Sequence, residues 1–262
     1  MITSADNARI KEVIRLNTKS KERHKRGLFA AEGRKLFLET PPAIREQVFV
    51  SASFEEKERE LLQGCRYEVV DDRLFLKMCD TQTPQGILTV ARMPQYTREE
   101  LLQGGEAPLL LLLEDVQDPG NVGTILRTAE AAGVTGVFLS AKCADLFQPK
   151  VIRATMGSVF RVPFCVEQDL CETAAWLRKQ QVSLYAAVLE SSRPFYDMDY
   201  RGASAFLIGN EGNGLSAALA EAAGQSVRIP MSGKVESLNA AVAASVFMYE
   251  AKRQRIRGFA AQ

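Results

Sequence analysis

The chain has 262 residues, 46% of them apolar, which is enough for a buried core in one large domain or two smaller ones. Its 33 Lys and Arg residues almost balance its 32 Asp and Glu residues, so the net charge alone indicates no class of partner. The five cysteines form no CxxC pair and the single histidine is His24, which argues against a disulfide framework, a His/Cys zinc site and a Ser-His-Asp triad.

No targeting or membrane segment is predicted. The N-terminal residues lack the apolar region of a signal peptide. The apolar run from Leu109 to Leu113 is far too short to span a bilayer. We therefore expect a soluble, cytoplasmic protein.

The first region of the chain alternates helical and strand patterns, which predicts a small α/β domain over residues 1–95. Near-helical spacing of apolar residues predicts a helix within residues 6–17, and the polar, basic residues 19–26 are predicted as a loop. Residues 27–33 predict a short strand and turn, followed by a helix that ends at Glu39. Further strands are predicted at 48–50, 67–70 and 86–90, with a charged helix at 54–63.

Positive charge is concentrated near the N-terminus. Residues 9–35 contain ten Lys and Arg against three Glu, a local charge of +7. Residues 252–257 add four more cations. Such patches attract phosphate backbones, although a solvated helix face is the alternative interpretation.

The second region begins after a Pro- and Gly-containing segment, residues 96–107, which we interpret as a linker. From Pro108 the pattern is β-α repeated, with apolar strands that do not alternate, as is typical of a parallel sheet buried on both faces. Strands are predicted at 109–114, 136–140, 183–188, 205–208 and 226–229. Helices are predicted at 121–132, 149–156, 169–180, 215–223 and 238–256, the first between an Asn121 N-cap and Gly133, and the last capped by Ser237 or Asn239.

Three polar loops that contain glycine each follow an apolar strand, within residues 114–123, 209–216 and 229–239. Open α/β sheets bind ligands at the carboxyl ends of their strands, so these loops predict a composite ligand site. None of them is a GxGxxG fingerprint or a P-loop.

Several residues of these loops have both a structural and a functional interpretation. Arg127 lies off the helical stripe of residues 122, 125, 126 and 129, which fits either an exposed side chain or a ligand-binding cation. Glu211 is either a turn residue or the partner of a guanidinium. Ser237 and Asn239 are either helix caps or ligand contacts, and Arg153 supplies a further cation.

Residues 118–129, 208–216 and 229–243 together resemble, in order and spacing, the three motifs of the SpoU (TrmH-type) RNA ribose 2′-O-methyltransferases of the SPOUT superfamily. The resemblance covers about 155 residues, from position 108 to position 262. Three segments of the first region resemble the substrate-binding domain of that family: Asn7–Lys11, Arg26–Leu36 and Thr83–Ile87.

The resemblance implies a fold and an assembly. We expect a SPOUT-type parallel α/β sheet with a C-terminal trefoil knot, preceded by a smaller α/β RNA substrate-binding domain. The implied ranges are 1–95 for the RNA-binding domain, 96–107 for the linker and 108–262 for the methyltransferase domain. A homodimer with each active site near the subunit interface is also implied.

The resemblance further implies S-adenosylmethionine as methyl donor, no metal, and a ribose 2′-hydroxyl of ribosomal or transfer RNA as acceptor. The implied cofactor contacts are Gly209, Ile229, Met231 and Leu238. The implied active-site residues are Asn121, Arg127, Glu211, Ser237 and Asn239. The basic N-terminal stretch would hold RNA, with Lys21, Arg23, Lys25, Arg26 and also Arg153 as the candidate contacts.

With no histidine available, Arg127 is the candidate for activating the ribose hydroxyl. Because arginine stays protonated in proteins, we expect it to stabilise the developing alkoxide, while a role as base stays open. Glu211 would orient Arg127 or loop amides. Two other functions stay open: a non-catalytic RNA-binding or ribosome-assembly factor that keeps the knotted fold, and a methyltransferase that acts on a base.

Overall fold

The computed structural model describes residues 1–104, 107–189 and 192–256. The chain forms two compact units. The first comprises Met1–Pro94 and Asp145–Phe160, and the second comprises Gln95–Ala144 and Arg161–Gln262. Residues 145–160 thus belong to the first unit, although they lie by sequence inside the range predicted for the methyltransferase domain. Positions 105 and 106 of the predicted linker, and Arg257 of the C-terminal basic run, lie outside the described residues.

Helices and strands alternate along most of the chain. The helices are α1 (Ala8–Thr18), α2 (Ser20–Arg26), α3 (Arg34–Glu39), α4 (Ala52–Lys57), α5 (Asp72–Met78), α6 (Arg98–Leu101), α7 (Pro119–Ala132), α8 (Pro149–Thr155), α9 (Leu170–Lys179), α10 (Ala217–Ala223) and α11 (Ala240–Arg255). The strands are β1 (Leu28–Glu32), β2 (Arg45–Ser51), β3 (Glu68–Val70), β4 (Ile87–Arg92), β5 (Leu109–Leu113), β6 (Gly136–Ser140), β7 (Phe164–Glu167), β8 (Ser183–Ala187), β9 (Arg193–Pro194), β10 (Ser204–Ile208) and β11 (Ser226–Arg228). Short 3-10 helices occupy Pro42–Ile44, Arg59–Leu62, Ser158–Phe160 and Phe195–Asp197.

The first unit is built on a four-stranded sheet in the order β1-β4-β2-β3. Strand β4 is antiparallel to both β1 and β2, whereas β2 and β3 are parallel. Buried apolar residues of α1 and α5 form one cluster with the sheet, and those of α3 and α4 form another. The sheet is therefore covered by helices on both faces, as its apolar strands predict.

Two helices of this unit were not predicted from the sequence. The segment 19–26 forms α2 rather than a loop, and α2 ends at Gly27, which adopts a left-handed φ of 64°. Helix α5 is capped by Asp71, whose side chain accepts hydrogen bonds from the backbone N–H groups of Arg73 and Leu74. The cap and the buried residues at helical spacing were present in the sequence as signals for α5.

Arg23 explains why the basic segment folds as a helix. Its side chain is only 5% exposed, and its Nη2 lies 2.7 Å from Oδ2 of Asp145, which is 15% exposed. Nη1 of Arg23 donates to the carbonyl oxygen of Leu16 at 2.7 Å, and the Ser20 hydroxyl donates to the same carboxylate oxygen of Asp145 at 2.7 Å. A buried guanidinium thus fixes α2 and the segment from Asp145 in one unit.

The second unit is built on a sheet of seven strands in the order β7-β6-β5-β10-β8-β11-β9, and every pair is parallel. Helices α9 and α10 cover one face. Helices α7 and α11 pack against each other, and the Phe247 ring of α11 stacks on Phe206 of β10 with 5.2 Å between centroids. The predicted doubly covered parallel sheet is therefore confirmed.

Strands β6 and β7, which follow β5 in the chain, lie on one side of β5, and the later strand β10 lies on its other side. The order in which strands are added to the sheet therefore reverses at β5. Such a switch point opens a crevice at the carboxyl ends of the two strands. The loops after β5 and β10 both begin there.

Strands β7 and β9, at the two edges of this sheet, were not predicted. Phe164–Glu167 has only one buried residue, and Arg193–Pro194 is two residues long, so neither has the apolar run of a central strand.

The start of α7 differs from the prediction in a way that matters for the site. The helix begins at Pro119 and is capped by Asp118, whose carboxylate accepts from the backbone N–H of Asn121 at 2.8 Å. The predicted Asn121 cap was wrong because Pro119 takes the first helical position, where its missing N–H is not needed. The Asn121 side chain is thereby available for other contacts. Helix α7 ends, as predicted, at Gly133, with a φ of 82°.

The basic run at the end of α11 mostly serves the fold rather than forming a free patch. Arg255 donates to the carbonyl oxygens of Ala107, Pro108, Tyr200 and Gly202 at distances of 2.6 to 3.2 Å, and burial lowers its pKa. Lys252 donates to the carbonyl of Ala131, and Arg253 pairs with Glu250 on the same helix.

Within the ranges that the structure describes, no helix is long and apolar enough to cross a bilayer.

Replacing Asp145 by Asn should destabilise the protein by about 3 kcal/mol at neutral pH, because it leaves the buried Arg23 without its counter-charge. Burial raises the pKa of Asp145, but hydrogen bonds from Phe147, Arg23 and Ser20 outweigh it and hold this pKa below its ordinary value. The stabilisation is therefore full above the ordinary Asp pKa of about 3.9 and is lost as the pH falls through the lower folded value.

Urea unfolding followed by circular dichroism at several pH values measures this difference. Asp6→Asn is the matched control, since Asp6 pairs with Lys11 at an exposed site, and should leave stability unchanged. A difference between Asp145→Asn and the wild type that persists undiminished in strong acid would contradict the assignment.

Candidate active site

Three loops follow the carboxyl ends of β5, β10 and β11 in the second unit. We call Glu114–Asp118 the first loop, Gly209–Ser216 the second loop and Ile229–Asn239 the third loop. The first leads into α7, the second into α10 and the third into α11.

The side chain of Asn121 connects all three motifs. Its Nδ2 donates to Oε1 of Glu211 at 2.6 Å, and its Oδ1 accepts from Nδ2 of Asn239 at 2.9 Å. Asn239 is itself fixed, because its Oδ1 caps α11 by accepting from the N–H groups of Ala241 and Val242. The three residues, which we call the three-loop network, come from positions up to 118 residues apart in the chain.

The second loop is closed by backbone and side-chain hydrogen bonds. The N–H of Gly214 donates to the carbonyl of Asn210 at 2.9 Å, and the N–H of Asn210 donates to the carbonyl of Gly214 at 3.1 Å. The Asn210 side chain accepts from the N–H of Gly212 at 2.8 Å. A Cβ on Gly209 would overlap the backbone of Gly214 and Leu215, so this tight loop requires glycine there.

The first and second loops are tied together across the switch point. The Glu114 carboxylate accepts from the N–H and the hydroxyl of Ser216 at 2.6 and 2.7 Å. Nδ2 of Asn210 donates to the carbonyl of Asp115 at 2.7 Å. The roles of Glu114, Asp115 and Asn210 were not predicted from the sequence, although their positions directly after two apolar strands were a signal for them.

The third loop leaves its polar backbone groups available. Between Met231 and Leu238 no residue forms a hydrogen bond with any part of the chain that the structure describes. The side chains of Ile229, Met231 and Leu238 are half-buried, and Ser237 is exposed. The loop therefore offers apolar side chains beside open N–H and C=O groups.

This arrangement suits a ligand that combines a flat polar heterocycle with an aliphatic chain. Open backbone donors and acceptors of the third loop can match a purine edge, while the half-buried side chains can contact its faces. The donor set thus fits the adenosyl group of S-adenosylmethionine. Among the described residues, no group of three His, Cys, Asp or Glu side chains could hold a metal ion.

Arg127 extends from the exposed face of α7, three and six residues beyond Thr124 and Asn121. The predicted packing stripe of this helix is buried at Val122, Ile125, Leu126 and Ala129. Within the described ranges the guanidinium of Arg127 has no hydrogen bond or ion pair, so Glu211 contacts Asn121 and not Arg127. The cation is therefore available to a ligand.

The predicted RNA contacts lie in the first unit, and one of them is wrong. Arg23 is buried on Asp145 and cannot reach a phosphate. Lys21 and Lys25 are exposed, and no described residue bonds to either of them. Arg26 is exposed but pairs with Glu12 and Glu22, and Arg153 pairs with Asp80 at 2.7 Å.

Gly209→Ala should lower the free energy of unfolding of the second unit by about 1–3 kcal/mol, because the added methyl forces the second loop apart. Urea unfolding followed by the fluorescence of Trp176, the single tryptophan, measures this. Gly202→Ala is the control, since a Cβ there has no neighbour within 4 Å. Equal stabilities for the two variants would contradict the tight packing of the loop.

Comparison with known proteins finds two family models that together cover most of the chain. The model of the "SpoU rRNA Methylase family" matches residues 108–249, and that of the "MRM3-like substrate binding domain" matches residues 7–89. The 23S rRNA (guanosine(2553)-2'-O)-methyltransferase RlmP of Bacillus subtilis is 36% identical over 95% of this chain and 97% of its own. The 23S rRNA (uridine(2479)-2'-O)-methyltransferase of Streptomyces viridochromogenes is 33% identical over 76% of this chain and 72% of its own.

Solved structures agree over nearly the full length. The SpoU methyltransferase AviRb of Streptomyces viridochromogenes, in complex with the cofactor AdoMet, has a TM-score of 0.86 and 30% identity, and the match covers 96% of this chain and 99% of that one. An AdoMet-bound rRNA methyltransferase of Sinorhizobium meliloti has a TM-score of 0.82 and 31% identity, with 96% and 97% of the two chains covered. The chain belongs to the SpoU rRNA methylase family.

Proposed function

We propose that the protein transfers the methyl group of S-adenosylmethionine to a ribose 2′-hydroxyl of ribosomal RNA. The observation that carries this proposal is the three-loop network, in which Asn121 joins Glu211 and Asn239 at the switch point of a parallel sheet. A relative that matches 95% of the chain is named as a 23S rRNA 2'-O-methyltransferase, and two of the solved neighbours bind AdoMet.

The methyl donor is held by the second and third loops. Gly209 keeps the second loop closed, and Ile229, Met231 and Leu238 present half-buried side chains beside unbonded backbone groups. Bound S-adenosylmethionine supplies an electrophilic methyl group on a sulfonium. The protein's part is to hold the acceptor hydroxyl in line with that methyl and to exclude water from the crevice.

Arg127 supplies the positive charge that the acceptor needs. A ribose hydroxyl is a weak nucleophile, and its oxygen becomes negative as it attacks. The guanidinium, which has no partner among the described residues, is available to stabilise that alkoxide and the adjacent phosphate. Because arginine remains protonated, the proton leaves to water or to a neighbouring group rather than to Arg127.

Glu211 and Asn239 act as positioning residues through Asn121. Glu211 accepts from the amide nitrogen of Asn121 and Asn239 donates to its oxygen, so the amide plane has one favoured orientation. Ser237 is exposed in the third loop and contributes a hydroxyl that can contact the ribose.

The work is divided between the two units: the first, residues 1–94 with 145–160, binds RNA, and the second carries the methyl-transfer site. Lys21 and Lys25, which are exposed and have no partner among the described residues, are the strongest candidates for phosphate contacts. Arg26 and Arg153 would have to leave a carboxylate to make such contacts. Such contacts give an affinity that falls with salt.

Family membership also supports a knotted, dimeric enzyme that acts in the cytoplasm, where ribosomal RNA is found. Val242 and Tyr249 of α11 are each 48% exposed, which leaves apolar surface on this helix for a second copy of the chain. The trefoil knot would hold the second and third loops in place.

Tritiated methyl transfer from S-adenosylmethionine to unmodified total RNA, and to immature ribosomal particles, tests the function. Label should appear in a nuclease-resistant 2′-O-methylated dinucleotide of ribosomal RNA. Label in a base would show a base-directed enzyme instead, and no label despite cofactor binding would favour a non-catalytic assembly factor.

In the same assay, Arg127→Ala should lower turnover at saturating RNA by about a hundredfold, because a donor to the developing alkoxide is lost. Arg127→Lys should fall between this variant and the wild type, since it keeps the charge but not the planar fork. Cofactor binding, measured by calorimetry, should stay unchanged in both. Near-full turnover by either variant would rule out this role.

Glu211→Gln should keep most of the activity, whereas Glu211→Ala should lower turnover about tenfold, because only Gln retains an acceptor for the Asn121 amide. Combining Glu211→Ala with Asn121→Ala should cost little more than Asn121→Ala alone, since the two side chains act as one unit. If Gln and Ala are equally defective, the negative charge of Glu211 acts directly and the positioning role is wrong.

A further inference from the structure

Two segments of the first unit that resemble the substrate-binding domain of the family, Arg26–Leu36 and Thr83–Ile87, meet at a cleft. The proposed methyl transfer does not use this cleft. The N–H of Arg34 donates to Oε1 of Gln85 at 2.8 Å, and the N–H of Gly33 donates to the carbonyl of Ile87 at 2.9 Å. The cleft lies between α3, α4 and these bonded segments, with a volume of about 830 Å³. This volume is in the range of small-ligand sites.

Two glycines with positive φ shape this region: Gly86 lines the cleft, and Gly33 lies next to the cleft residue Gln85. A Cβ on Gly86, where φ is 89°, would lie 2.7 Å from Cβ of Phe54 and 2.9 Å from Oγ of Ser51. A Cβ on Gly33, where φ is 106°, would lie 3.0 Å from Oε1 of Gln85. Both glycines allow a close approach that fixes Gln85 at the cleft wall.

Positive charge dominates the available groups of the cleft. Lys35 on α3 and Lys57 on α4 are exposed, and neither forms a hydrogen bond or ion pair within the described residues. The two carboxylates that line the cleft are already engaged: Glu58 lies 3.6 Å from the Arg34 guanidinium, and Glu39 also has an interaction partner. Asp72, which feels the charge of Lys57, instead accepts hydrogen bonds from Ser53. Two ammonium groups are therefore left for an anion.

The cleft also has neutral donors and an apolar wall. Since Oε1 of Gln85 is taken by Arg34, its Nε2 faces the other way, and this group has no partner in the described part of the chain. Leu38 is 54% exposed and Pro84 is half-buried at the same cleft. Paired cations, amide donors and an apolar surface are together the complement of a phosphate, a base edge and a base face.

We propose that this cleft, defined by Lys35, Lys57 and Gln85, binds one unpaired nucleotide of the RNA substrate. Lys35 and Lys57 bind its phosphate, the Gln85 amide donates to the base, and Leu38 covers the face of the base. The site rests on the proposed function for the identity of its ligand. It gives the first unit a pocket for an unstacked base in addition to a charged surface.

The test compares the full-length wild type with two variants, Lys35→Ala/Lys57→Ala and Gln85→Glu. The second variant keeps an oxygen that accepts from the Arg34 N–H but replaces the amide donors by a negative charge. Arg73→Ala/Lys77→Ala is the matched control, because it removes two exposed cations of α5 that do not line the cleft. Binding of a fluorescein-labelled single-stranded oligouridylate and of a labelled RNA duplex is followed by anisotropy at several salt concentrations. Thermal unfolding shows that each variant is folded.

The double cleft variant should bind the single strand about tenfold more weakly than the control. Because the two lysines bind one phosphate, and each phosphate contact on a single strand contributes about 0.7, the log–log salt slope should fall by about 0.7. Gln85→Glu should weaken binding of the single strand at least as much. In methyl transfer, both variants should raise KM for RNA and leave kcat and cofactor affinity unchanged.

Equal binding by the cleft variants and the control would overturn the inference, even if the wild type methylates RNA. An equal loss of duplex binding would overturn the preference for an unpaired nucleotide. Loss of single-strand binding in the cleft variants, with no methyl transfer by the wild type, would uphold the cleft and refute the proposed reaction.

Discussion

One side-chain amide, that of Asn121, holds the candidate active site together. It donates to Glu211 and accepts from Asn239, so the ends of three loops are joined by two hydrogen bonds. The amide is available for this only because Asp118, rather than Asn121, caps α7. The site thus depends on a proline and an aspartate through their effect on where α7 begins, although within the described residues neither forms a hydrogen bond with the other two loops.

The sheet that carries the three loops explains why hydrogen bonds between them are needed. All seven strands are parallel, and their order reverses beside β5, which leaves a crevice between the loops after β5 and β10. Hydrogen bonds from Ser216 to Glu114 and from Asn210 to Asp115 close its base. The third loop, by contrast, has no internal hydrogen bonds between Met231 and Leu238 in the described structure. The hydrogen-bonded first and second loops, together with a third loop whose backbone groups are open, suit a site that binds a methyl donor.

The sequence predicted the parallel sheet and its loops well, because short apolar strands and glycine turns are local signals. It did not predict α2, since the burial of Arg23 depends on Asp145, which is 122 residues away. The hydrogen bond between Asn121 and Glu211 could not be predicted from the sequence either, because it depends on which residue caps α7. The edge strands β7 and β9 lacked an apolar run, so periodicity offered nothing to detect.

The placement of residues 145–160 has a consequence for biosynthesis. These residues supply the first unit with Asp145 and with Phe147, whose ring lies 4.9 Å from that of Phe29. When the ribosome has completed Pro94, the nascent first unit still has a buried cation without its counter-charge and a core aromatic without its neighbour. The N-terminal unit therefore finishes folding only after β5, α7 and β6 of the second unit have been translated, so the two units mature in an interleaved order rather than one after the other.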